Sequence, residues 1–213
     1  MMRDWKTGLK MIRYAYQFKL NLAVAVMFIV LGVVGLYFKG AYLVTGGCWL
    51  LLGLSYMTQP MFNMIFAGSV AASPKRKSLS LYAPDVLTAL AGVITYPVVV
   101  GISWSVRPEN ADDLLFRQFM LSAFVVMFLT LVYMGVAYHL FILGTFLFGI
   151  LTACGGMLSC IAINVLSLEL EQIYVIGLVL IVAGVVLNCI GRRLLYRRPL
   201  SKFALGAALR KRM

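Results

Sequence analysis

Charge is what this chain has least of. Only 12% of its 213 residues are Asp, Glu, Lys or Arg, and 62% are hydrophobic. A soluble domain carries about 25% charged residues, so an ordinary soluble fold is excluded. The apolar runs are solid and close to twenty residues long, as membrane-spanning helices require. They do not alternate over about ten residues, which excludes a β-barrel. Acid is scarcer still, with seven Asp and Glu against nineteen Lys and Arg and a net charge of +12. The cations flank apolar spans, so orientation and attraction to anionic lipid are expected, not nucleic acid. Histidine occurs once, as His139, with no acid, base or metal partner at useful spacing. Cys48, Cys154, Cys160 and Cys189 show no CxxC or Cys/His ligand pattern and read as small buried hydrophobes. HExxH, nucleophile-elbow and P-loop motifs are missing. No catalytic, metal or cofactor-binding residue is therefore expected in this chain. No cleavable signal peptide is expected either, because the first apolar run has span length and no small-x-small site follows it.

What is present divides into three parts. Residues 1–19 read as an interfacial amphipathic helix. Trp5, Leu9, Ile12 and Tyr16 recur at helical spacing, beside a cationic stripe of Lys6, Lys10 and Arg13. Residues 20–191 read as an all-α polytopic membrane domain of six transmembrane helices, at about 20–38, 41–66, 86–104, 118–137, 140–163 and 173–191. The second is long for a bilayer, with Pro60 as its kink candidate. The fifth loosens at Gly155-Gly156, and a tight turn is expected at Tyr138-His139. Residues 192–213 form a basic tail.

Counting cations orients the chain. Sixteen of the nineteen basic residues fall on one side if both termini are cytoplasmic; Lys39, Arg107 and Arg117 are the others. No Asp, Glu, Lys or Arg lies in the apolar core of any span, which argues against ion-coupled transport. Gln59, Asn63, Tyr96 and Asn164 are the candidate pathway residues, with Asn188 in the same class. Hydrogen bonding between helices is the commoner role for such side chains. Gly92, Gly101, Gly155 and Gly156 are expected to permit close packing.

One segment stands apart, AASPKRKSLSLYAPD at 71–85. Ser73-Pro74 suits a helix start, and Lys75 to Tyr82 reads as a short helix lying on the cytoplasmic surface. Pro84 is expected to end it, and Asp85 to cap the third span.

A basic amphipathic N-terminal helix, six spans with both ends inside, and a short basic cytoplasmic helix between spans two and three resemble a type-2 ATP-binding-cassette exporter permease without a fused ATPase. The resemblance is architectural and covers nearly the whole chain. It implies that SPKRKSLSLYAP matches the coupling helix, with Pro74, Lys75, Arg76, Lys77, Leu79, Leu81 and Tyr82 at the ATPase. It implies that DWKTGLKMIRYAYQFK matches the connecting helix. TACGGMLSCIAINVLSLELEQ occupies the place of the family's outer re-entrant segment, and 151–172 reads equally as a long tilted helix or as a re-entrant break. ATP and Mg would bind in a separate cytoplasmic ATPase subunit, and a second permease copy or a related permease would complete the assembly. A bacterial cytoplasmic membrane is implied as the location. The alternative is a non-transporting integral-membrane scaffold or interaction protein with a basic cytoplasmic face. A membrane enzyme is a third class, opposed by the missing polar constellation.

Overall fold

A computed structural model of the chain describes residues 10, 18–38, 41–56, 58, 61–62, 76–106, 113–137 and 139–198. The elements are α1 (Phe18–Tyr37), α2 (Ala41–Ser55), a π-turn (Ser78–Tyr82) running into α3 (Ala83–Val106), α4 (Asp113–Val136), α5 (Phe141–Leu166) and α6 (Leu170–Leu195). Among the described residues, five helical stretches are long and apolar enough to cross a membrane, and α2 is a shorter apolar helix. The chain is a multi-pass, all-helical membrane protein. Such a helix satisfies all its backbone groups internally, which hydrocarbon demands.

Helix α4 is the hub. It packs against α2, α5 and α6, while α3 is seated against α2 and α6. Met120, Phe124, Met127 and Leu131 recur along one face of α4 and are fully buried. The exterior stays apolar, as with exposed Val26, Val30 and Val34 on α1 and Phe146, Met157 and Val165 on α5. With no hydrophobic drive between helices in lipid, small residues bring the backbones close. A methyl group at Gly32 would lie 2.5 Å from the Leu50 backbone nitrogen, so α1 and α2 touch through their main chains. On α6, Gly177 receives the ring of Phe124, only 2.6 Å from where a Cβ would stand.

Two expectations need correction. Pro84 does not end a separate helix: from Arg76 to Val106 the helix is continuous. A proline ring clashes with the carbonyl four residues back and donates no hydrogen bond. The π-turn absorbs that misfit, with the Ala83 N–H bonding to the Ser78 carbonyl five residues back. Second, α5 runs unbroken through Gly155-Gly156 for 26 residues and ends at Ser167, whose φ of 48° is left-handed. Residues 151–166 are therefore one long helix with no re-entrant break. Regular α2 runs to Ser55, and Thr58, Met61 and Phe62 beyond it are also helical; Pro60, with the kink expected there, lies outside the described residues. The Ser55 hydroxyl donates back to the Leu51 carbonyl at 2.6 Å and to that of Leu52 at 3.2 Å, which satisfies a buried polar group within its own helix. The turn at His139 lies where the sequence places it, with the Leu140 N–H bonding to the Val136 carbonyl at 2.9 Å.

The helices alternate in direction, so the bundle has two chemically distinct ends. Arg76, Lys77, Arg192, Arg193, Arg197 and Arg198 gather at one, whereas Glu169 and Glu171 stand at the other. From Glu171 to Arg192 the helix rises about 31 Å, matching a hydrocarbon core of about 30 Å.

Candidate functional site

The basic end holds the chemistry. Arg192 belongs to the stripe that α6 buries: Tyr174, Gly177, Ile181, Gly184, Asn188, Arg192 and Leu195, spaced by three or four residues. That register carries its guanidinium inward against α3. Arg192 is 3% exposed, and its Nη1 donates to Asp85 Oδ1 at 3.4 Å. Its Nη2 donates to the Thr88 hydroxyl at 2.9 Å, and that hydroxyl donates to the Pro84 carbonyl at 2.8 Å. Arg193 approaches Asp85 Oδ2 at 3.9 Å from the surface. A carboxylate and a guanidinium at the edge of hydrocarbon are thus neutralised as a pair, which is how such groups are tolerated there.

The π-turn is fastened to the same place. Leu79 is fully buried and Leu81 nearly so. Arg76 lies over the Tyr196 ring, 5.7 Å from its centroid, just past the end of α6. Lys77 is exposed and stands over Tyr82, 5.6 Å from its centroid. Cation–aromatic contacts of this kind hold long side chains in place. The basic segment is therefore rooted in the bundle through its leucines, with Lys77 outward.

Comparison with protein-family models, with curated proteins and with solved structures finds no match.

The other residues singled out from sequence scatter. Pro74, Lys75, Gln59 and Asn63 lie outside the described residues, as do Trp5, Lys6, Leu9, Ile12, Arg13 and Tyr16. Lys10 is helical and exposed. Tyr96 donates from α3 to the Tyr174 carbonyl at 3.0 Å, and Asn164 accepts from Gln118 at 3.1 Å. Asn188 donates to the Leu131 carbonyl at 2.6 Å. Each joins two helices, so the described members of this set act as hydrogen-bonded ties. Of the glycines, Gly92 meets Ile181 and Val185, and Gly155 meets Val125, while Gly101 and Gly156 have nothing within 4 Å.

Sequence reasoning missed the Asp85–Arg192 pair and Thr88. A signal existed: Arg192 lies four residues beyond Asn188, in register with the buried stripe. It also missed the tie at the acidic end. There the Tyr174 hydroxyl meets Ser103 at 3.0 Å, and Arg117 donates to the Leu168 carbonyl at 3.0 Å.

Proposed function

We propose that this chain is the membrane-spanning permease subunit of an ATP-driven exporter, coupled to a separate ATP-binding-cassette ATPase through its basic segment. The supporting observation is mechanical. Exposed Lys77 stands at the head of a helix that is continuous into α3 and is tied to α6 by Asp85 and Arg192. A push on the cations is carried into the core by one rigid rod, without a hinge between docking surface and span. Buried Leu79 and Leu81 serve as the root of that rod. Docking then falls to Pro74, Lys75, Arg76, Lys77 and Tyr82.

In this reading the basic end is cytoplasmic and both termini are inside, in a bacterial cytoplasmic membrane, as the distribution of cations favours. ATP and Mg bind in the partner. A second copy or a related permease completes the pathway, and the spans rock between inward-open and outward-open arrangements. The uninterrupted α5 departs from the family's outer re-entrant pattern, so the reading rests on the basic end of the bundle.

Charge reversal tests it. With Lys75, Arg76 and Lys77 all replaced by glutamate, stimulation of the partner's ATPase in reconstituted vesicles is expected to fall about ten-fold, through like-charge repulsion at the docking surface. Undiminished stimulation, with topology verified, contradicts the proposal and favours a scaffold.

A further inference from the structure

The last turns of α6 join two surfaces that belong to different solvents. Val186, Ile190 and Leu194 recur every four residues and are all exposed. They form an uncovered apolar stripe on a helix that is long and apolar enough to face hydrocarbon. Arg193 and Arg197 lie on the same face. At 3.6 residues per turn they fall within about 20° of Val186, one on each side. Helical geometry continues through Tyr196, and the Arg198 N–H bonds to the Leu195 carbonyl at 2.9 Å. Arg193, Arg197 and Arg198 are all exposed. The apolar stripe therefore ends in guanidinium groups, at the depth where the rise from Glu171 places the edge of hydrocarbon.

Charge balance selects the ligand. Six cations, Arg76, Lys77, Arg192, Arg193, Arg197 and Arg198, share this end of α3 and α6 with the carboxylate of Asp85. Asp85 is already engaged by Arg192 at 3.4 Å, and Arg193 reaches it only at 3.9 Å. Arg193 is 60% exposed and keeps most of its five N–H donors for another acceptor. A guanidinium fork matches two oxygens of a phosphate. The surplus of positive charge favours a headgroup with net negative charge over a zwitterion.

We propose that this face of α6 is a binding site for an anionic phospholipid. One acyl chain lies along Val186, Ile190 and Leu194, and the phosphate is held between Arg193 and Arg197. The site is independent of the permease reading, and its measurement needs no ATPase.

The test is native mass spectrometry of the purified full chain, titrated with phosphatidylglycerol or, at equal concentration, phosphatidylcholine. The wild type is expected to retain phosphatidylglycerol preferentially. R193Q/R197Q is expected to retain at least about five-fold less, since each basic residue near the surface contributes measurably to anionic-lipid attraction. The charge-matched R210Q/K211Q is expected to retain it like the wild type. Both arginines of the site are exposed, and matched elution and melting behaviour check that the fold is kept. Wild-type retention by R193Q/R197Q overturns the proposal. Equal loss in R210Q/K211Q overturns it too, because overall charge would then account for the binding.

Discussion

Replacing Asp85 with leucine is expected to destabilise the bundle by about 3 kcal/mol, and replacing Arg192 with methionine by less. The asymmetry follows from the neighbours. Without Asp85, the guanidinium of Arg192 stays 3% exposed and keeps the Thr88 hydroxyl but loses the carboxylate it meets at 3.4 Å. Without Arg192, the carboxylate still has Arg193, which stands 3.9 Å away and is free enough to close in. The side chain of Asp85 also retains 12% exposure, so water shares the burden. The double variant D85L/R192M removes both charges and is expected to recover most of the loss, as apolar replacement of buried pairs commonly does. Thermal unfolding of the four proteins in one detergent measures this. Additive losses in the double variant would show that the two residues do not act as a pair.

The second large effect belongs to Gly32. Valine there would set its Cβ 2.5 Å from the Leu50 backbone nitrogen and 2.9 Å from the Leu50 Cβ. Main chain cannot rotate away as a side-chain tip can, so α1 and α2 must separate. The expected cost is about 3 kcal/mol or more, at the upper end for overpacking. Gly101→Val supplies the contrast, because nothing stands within 4 Å of its Cβ position. G32V is expected to lower the melting temperature in detergent by several degrees, and G101V to leave it nearly unchanged. Equal melting temperatures would contradict close packing of α1 on α2.

These two sites also show how far the sequence is legible. The hydrophobic runs located the five span-length helices among the described residues and the shorter α2, because length and composition alone decide what hydrocarbon accepts. The turn at His139 followed from the brief loss of apolar continuity. Pro84 and Gly155-Gly156 misled for one reason. Rules learned in water treat proline and glycine as breakers, yet in a membrane a broken helix exposes backbone groups to lipid. The helix therefore keeps its course through Gly155-Gly156 and accommodates Pro84 with a π-turn. Which glycines lie at contacts depends on how helices rotate against each other, so Gly101 and Gly156 were indistinguishable from Gly32 and Gly177 in sequence. The Asp85–Arg192 pair joins residues 107 positions apart. Only the seating of α3 against α6 brings them together. The basic segment was visible at once as a solitary polar interruption, but the burial of Leu79 and Leu81 within it was not.

The central claim is that this bundle works with a separate ATPase seated on its basic end. Purification of the tagged chain from its native cells in gentle detergent, with mass spectrometry of what accompanies it, tests this most directly. The account predicts a soluble partner in stoichiometric amount that carries a Walker A sequence. A preparation without such a partner, even after crosslinking in intact cells, would contradict it.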